Sequence, residues 1–254
     1  MWSLGDYSLV APRLEPYAIK LAEACAIRPG TTVLDVAAGN GNFALAASAV
    51  GAKVTASDLT PRMLELGRAR TEAAGSEIEW TEGDAEALPF PDQGFEVVAS
   101  VFGAMFAPRP ERVATELFRV CRRGGLVAMA NYGWEGFLGA IFKLFARYSN
   151  PLPFELPSPF EWGDATVVRA RFDRLASDIG IRPQVLTMHF ASVEAGIDYW
   201  ERTNGPMAAL KAMLPPERYA ECRQEGMQLM ARMNQSSNGT LDLSASYLEV
   251  LARK

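Results

Sequence analysis

The stretch Val33-Leu34-Asp35-Val36-Ala37-Ala38-Gly39-Asn40-Gly41-Asn42-Phe43-Ala44 is the first place where this sequence offers chemistry. An apolar run ends in a glycine-rich turn, and an Ala-rich segment of helical composition follows. Glycine takes backbone angles denied to other residues and lets the main chain approach a ligand. The helix start adds unpaired N–H groups. A Gly-x-Gly-x-x-Ala turn suits a nucleotide-type ligand, a dinucleotide included; a tight turn that binds nothing is the alternative. Roughly twenty positions on, at the end of a second apolar run, Asp58 suits a ribose diol, because a carboxylate accepts two hydroxyl hydrogen bonds. The alternative is a carboxylate that only caps the next helix. After a third run comes Gly83-Asp84-Ala85-Glu86-Ala87-Leu88-Pro89-Phe90. There the Asp84 carboxylate can meet an adenine amino group, with the Ala85 N–H beside it, unless the loop is merely acidic and solvated.

Other candidates stand apart from these blocks. His189 is the only histidine. It is a general base for an acceptor or, as we favour, a half-buried sheet residue, since no carboxylate partner is evident in the sequence. Tyr132, Trp134 and Glu135 follow the fifth strand and suit an acceptor pocket, and Tyr132 is a weaker catalytic candidate. Phe137 and Trp162 bound an aromatic and proline-rich stretch that fits a lid over a flat, apolar acceptor.

The elements that must hold these residues alternate. Thr32–Val36, Lys53–Ser57 (ending at Asp58), Ile78–Glu82, Phe95–Ser100 and Leu126–Ala130 read as strands. Helices fall at Asn42–Val50, from Pro61 to about Ala74, and at Glu111–Val120. Thr60 is the expected cap of the second, and Gly75 its stop. Beyond Asn131 the expected order is an inserted helix with an irregular lid, a helix near Val167–Ile179 and a strand near Val185–Phe190. Helical segments follow over Val193–Arg232, broken at Gly205-Pro206 and Pro215-Pro216, and Tyr247–Leu251 is a last strand. This alternation predicts a Rossmann-like, doubly wound α/β fold. Its mostly parallel seven-stranded sheet has helices on both faces, a helical and aromatic lid after the fifth strand, and ligands at the C-terminal strand ends. We read one domain: an N-terminal segment (1–28), a cofactor-binding core (29–130), a lid (131–165) and a C-terminal part with added helices (166–254).

The bulk properties exclude several classes. The chain has 254 residues, 49% hydrophobic and 22% charged, with a net charge of -5. That is the composition of a folded globular protein, and no basic face for a nucleic acid is apparent. The three cysteines, Cys25, Cys121 and Cys222, are scattered, which fits reduced thiols in the cytoplasm. With one histidine and no Cys-x-x-Cys pair, no metal site is expected. The N-terminal residues lack the pattern of a signal peptide, no apolar run is long enough to span a bilayer, and no membrane partner is expected.

Taken together, the three blocks resemble the class I S-adenosylmethionine-dependent methyltransferases. The Asp84-to-Phe90 run is similar to their small-molecule branch, the ubiquinone-biosynthesis-like group. The resemblance covers about Pro29 to Ala130, including Pro108-Arg109-Pro110 and Cys121-Arg122-Arg123-Gly124-Gly125, and fades after Tyr132. It implies that Ala37, Gly39, Asn40 and Gly41 line the cofactor's methionine portion, with Asp35 near its amino group. It implies that Asp58 takes the ribose hydroxyls, that Leu59 and Met63 pack near the adenine, and that Asp84, Ala85 and Glu86 form the adenine loop. Val101 and Phe102 then lie beside the methionine tail. Asn40 departs from the Thr or Ser of many members. At the N-terminus, Trp2 and Tyr7 precede the first recognisable helix, and Tyr7 can fold over the sulfonium as over other cations, or simply anchor the terminus. The function implied is methyl transfer to a small aromatic or apolar metabolite, as in secondary metabolism, with S-adenosylhomocysteine as product and no metal. Whether such a chain is a monomer or a homodimer stays open. The alternatives are a protein that keeps the cofactor without methylating, such as a cyclase or a binding module, and a nicotinamide-dependent oxidoreductase.

Overall fold

A computed structural model describes residues 7–149 and 156–254, with backbone alone for Tyr7 and Ser8. Trp2, Pro151 and Pro153 lie outside the described residues, as does the side chain of Tyr7. The described chain packs as two compact units. The first comprises residues 14–131, 156–184 and 248–254; the second holds the other described residues, 7–13, 132–149 and 185–247.

The seven strands are β1 (Thr32–Val36), β2 (Lys53–Asp58), β3 (Ile78–Glu82), β4 (Phe95–Val101), β5 (Cys121–Gly136), β6 (Asp178–Phe190) and β7 (Leu241–Arg253), in the sheet order β3-β2-β1-β4-β5-β7-β6. Pairings among β1 to β5 are parallel. The two pairings of β7 are antiparallel: Gly124 N–H donates to the Lys254 carbonyl, and Ser177 N–H to that of Arg253. At the far end of the same strands His189 meets Asp242. β1 and the middle of β4 are buried on both faces, the continuous apolar signature of a parallel sheet covered by helices.

In the first unit, residues 14–24 of α1 (Tyr7–Ala24) bury Ala18, Leu21 and Ala22 on one stripe, and α2 (Asn42–Ala49) follows the glycine turn. α3 (Pro61–Ala73) ends as expected. Gly75 takes φ 64°, its N–H reaches the Glu72 carbonyl and that of Ser76 reaches Thr71, which satisfies two terminal carbonyls. α4 (Pro110–Val120) buries Val113, Ala114, Leu117 and Phe118, and α6 (Ala165–Phe172) sets Phe172 against Phe118 with ring centroids 4.9 Å apart. In the second unit, α5 (Phe137–Tyr148), α7 (Val193–Thr203), α8 (Gly205–Met213) and α9 (Pro216–Met233) share a core that includes Phe137, Ile141, Trp200, Met207 and Met230. The breaks between these last helices fall at the glycine and prolines expected to make them.

Four elements depart from the sequence expectation, all by tertiary pairing, and β6 is one of them because it begins at Asp178 rather than near Val185. The helix expected to reach Ile179 stops at Phe172, because the chain from Ser177 onward pairs with β7. β5 continues through Tyr132 to Gly136, and β7 begins at Leu241 rather than Tyr247. The two strands touch at Gly136 (φ 84°), where a Cβ would lie 2.5 Å from the Ser244 carbonyl oxygen. Thr60 precedes α3 as expected, but its side chain makes no cap; its N–H is the group used.

Candidate functional site

Within the first unit, the C-terminal ends of β1, β2 and β4 bring Asp35, Asp58 and Phe102 together around the glycine turn. Asp58 is 8% exposed, and both of its oxygens are engaged by backbone: Oδ2 accepts from Gly39 N–H at 2.9 Å, Oδ1 from Thr60 N–H at 2.9 Å. It therefore ties the turn to the start of α3 and keeps lone pairs for further donors. Asp35 is 1% exposed, and its Oδ2 accepts from Ala44 N–H in the first turn of α2 at 3.0 Å. Burial pushes the Asp35 carboxyl up to about 8, offset in part by that N–H and reinforced by the neighbouring Asp58. Burial also raises Asp58, against the lowering effect of its backbone bonds. Neither carboxylate has a cation as partner in any described ion pair. Two buried acids without a counter-charge favour a cationic ligand.

The turn itself divides its labour. Gly39 (φ 57°) offers its N–H to Asp58, and Ala38 N–H goes to the Ser57 carbonyl at 3.0 Å. Gly41 has φ 88°, and a Cβ there would lie 3.0 Å from the Trp80 indole. Its small size thus makes room for the packing of Trp80. Trp80 enters from β3 over Gly67, where a Cβ would sit 2.2 Å from the ring, and its Nε1–H donates to Thr71 Oγ1 at 3.2 Å. The Asn40 side chain is engaged: Oδ1 accepts from Arg70, which also holds Asn42 and, at 2.7 Å, Glu15 of α1.

β4 supplies the second wall. Phe102 and Ala37 both take positive φ (56° and 54°) without being glycine, a strained state found where the surroundings over-determine the backbone. Gly103 explains the constraint, since a Cβ there would meet the Ala37 carbonyl oxygen at 2.4 Å. Val101 is half-buried, Phe102 is 6% exposed and Met63 is 4% exposed, whereas Leu59 is 60% exposed. In the loop after β3, Asp84 Oδ1 accepts from Glu86 N–H at 2.9 Å, and Ala85 is buried. The Glu86 carboxylate is taken by Arg109, through its backbone N–H at 2.6 Å and its guanidinium. That pair fixes the loop after β3 to the start of α4.

The proposed acceptor residues fare unevenly. Trp162 is 1% exposed, packed on Phe172 under the Arg171 guanidinium, and Phe137 is 0% exposed against Trp200. Both sit in the core, which absorbs their large aromatic surface. Trp134 and Glu135 are exposed and Tyr132 half-buried in the second unit, where Lys143 lies 4.7 Å over the Trp134 ring. His189 is exposed rather than half-buried, and it does have a carboxylate: Nδ1 lies 2.8 Å from Asp242 Oδ1.

Sequence reasoning missed Gly103, Arg70, Trp80 and two polar atoms at the strand ends. Ser57 Oγ and Asn131 Nδ2 are buried without a hydrogen-bond partner among the described residues. Such atoms in a native fold mark a ligand or ordered-water position. With the two buried carboxylates, they fit a polar, cationic cofactor at this edge. Gly103, directly after a strand-end Phe, carried the only local signal; the others are long-range.

Comparison with known proteins follows the same boundaries. Residues 34–129, from β1 into β5, match the family model described as a methyltransferase domain. An uncharacterized protein of Mycobacterium tuberculosis is 44% identical over 208 residues, covering 81% of this chain and 76% of that one. The phosphatidylethanolamine N-methyltransferase of Cereibacter sphaeroides is 35% identical over 155 residues, 59% of this chain and 75% of that one. Among solved structures, the YcgJ protein of Bacillus subtilis shares the fold with a TM-score of 0.63 at 19% identity, over 94% of this chain and 98% of that one. The matched family segment coincides with the strands that build the carboxylate-held turn, and the chain belongs to the class I S-adenosylmethionine-dependent methyltransferases.

Proposed function

We propose that this chain transfers a methyl group to a small aromatic or apolar metabolite of secondary metabolism. The observation that carries the cofactor assignment is the Asp58 carboxylate, buried at the end of β2 and held by Gly39 N–H and Thr60 N–H. Asp58 would receive the ribose hydroxyls, the loop from Asp84 to Ala85 the adenine, and Asp35 with Gly39 the methionine end. When bound, S-adenosylmethionine supplies an already activated methyl group, so the protein's work is alignment and water exclusion, which lowers a barrier by about 7–11 kcal/mol in favourable cases. Asp35 and Asp58 bind and orient through charge. Phe102 and Met63 exclude water with buried apolar surface. The aromatic and proline-rich make-up of residues 132–162, with Trp134 exposed, supports a flat acceptor. Three reduced thiols suit a cytoplasmic setting.

Isothermal titration with S-adenosylmethionine and S-adenosylhomocysteine tests the cofactor site. Both should bind in the micromolar range, and Asp58→Ala should weaken binding by about 1–3 kcal/mol, the worth of hydrogen bonds to a charged group. An unchanged dissociation constant would remove Asp58 from the ribose site. Transfer of a labelled methyl group to a panel of phenols, quinols and amines tests the acceptor class; cofactor binding without transfer to any of them would favour a non-methylating role.

A further inference from the structure

We propose that the groove between α5 and α9 of the second unit seats the phosphate headgroup of an anionic phospholipid and so rests this protein on a bilayer surface. The groove encloses about 470 Å³. Its deeper lining is apolar: Leu144 is buried, and Ala140 and Leu229 are half-buried. Its exposed lining is cationic, with Lys143, Arg147 and Arg232. This concentration of positive charge stands on a chain whose net charge is -5. The one acid in the lining, Glu225, is already engaged, by the Tyr148 hydroxyl at 2.8 Å and by Arg147. That leaves Lys143, which lies over the Trp134 ring, and Arg232; among the described residues neither makes an ion pair.

The chemistry of that lining selects its occupant. Cations around an apolar floor suit a group that is anionic at one end and carries alkyl chains at the other, and snorkelling Lys and Arg stems add apolar surface of their own. Trp134, 39% exposed beside Lys143, is the residue type that settles at a membrane–water interface. A free phosphate would use the cations but leave the apolar floor and Trp134 without a role. Among the described residues no helix is long and apolar enough to cross a membrane. The expectation of no membrane partner came from span length, and a protein that lies on a bilayer needs no span.

Co-sedimentation with lipid vesicles tests this with the full chain. Vesicles of phosphatidylglycerol mixed into phosphatidylcholine should pellet the protein at low ionic strength, and vesicles of phosphatidylcholine alone should not. Each cation near an anionic surface contributes roughly fivefold in partitioning, so the double substitution Lys143→Glu with Arg232→Glu should lower it by roughly 25-fold or more. Raising salt well above physiological strength should release the wild type. Trp134→Ala should weaken binding to the same vesicles while leaving the salt dependence unchanged. Titration with S-adenosylmethionine, expected to match wild type in the charge-reversed variant, keeps this test separate from the methylation reading, and an unchanged circular-dichroism spectrum shows that Trp134→Ala folds. Equal pelleting of the charge-reversed variant, or no preference for phosphatidylglycerol, overturns the proposal. So does inorganic phosphate that binds the groove of a protein no vesicle retains.

Discussion

Asp35 is where sequence and environment conflict most sharply. A carboxyl on a strand buried on both faces gives up hydration, and one backbone N–H returns only part of it, which is why burial moves it from 3.8 up to about 8. The sign follows from that direction. Because the folded form holds the proton more tightly than the unfolded chain, the contribution of Asp35 is intact below about pH 4 and is lost as pH rises towards 8. Asp35→Asn, which keeps the shape and an acceptor for Ala44, should therefore raise the melting temperature of the free protein by a few degrees at pH 8 and hardly at all at pH 4.5. A difference between variant and wild type that stays constant across that range would show that Asp35 is not the titrating group. The same substitution should weaken S-adenosylmethionine binding, a cost in function of removing a charge that destabilises the fold. Asp58 was legible from its place at the end of the second apolar run after the glycine turn, and Asp35 from the resemblance that its block carries. The engagement of Glu86 by Arg109, of Asn40 by Arg70 and of His189 by Asp242 was not, since each partner lies 23 or more residues away.

Among the elements, the ends of β1 and β4 are held in register by the absence of a side chain. Gly103 lets the β4 end pass within contact of the Ala37 carbonyl, and the positive φ of Ala37 and Phe102 follows from that approach. A methyl group placed against backbone has nothing flexible to displace, so Gly103→Ala should cost about 1–3 kcal/mol of stability, as overpacking does, and should weaken cofactor binding. Urea denaturation with parallel calorimetry checks both. Gly180→Ala in β6 is the control: a Cβ there meets only the Leu251 carbonyl oxygen at 3.6 Å, and stability should hardly change. A Gly103→Ala variant as stable and as tight-binding as wild type would mean that the two strand ends are not coupled in this way. Helix boundaries set by local punctuation, such as Pro61 and Gly75 around α3, were readable in advance. Strand ends set by pairing, such as Gly136, Ser177 and Leu241, were not.

At the scale of the molecule, the three cysteines report on how much of the fold is closed to solvent. All are free and buried, and burial raises Cys25 to about 12 and Cys121 and Cys222 to about 11, which keeps them as unreactive thiols. A thiol reagent at pH 8 should label none of them in the native protein and all of them in urea; prompt labelling of one would reveal local opening in the unit that carries it. Sequence alone determined the alternation of strands and helices, the glycine turn, and the carboxylates at fixed distances from it, because each is written in neighbouring residues through periodicity and turn chemistry. Only the tertiary structure decided that Trp162 and Phe137 are core, that β5, β6 and β7 extend past their apolar runs, and that Gly41 makes room for Trp80. It also placed Lys143 and Arg232 on one groove. Those outcomes depend on which distant surfaces meet, and burial and pairing energies override local preference wherever they meet closely.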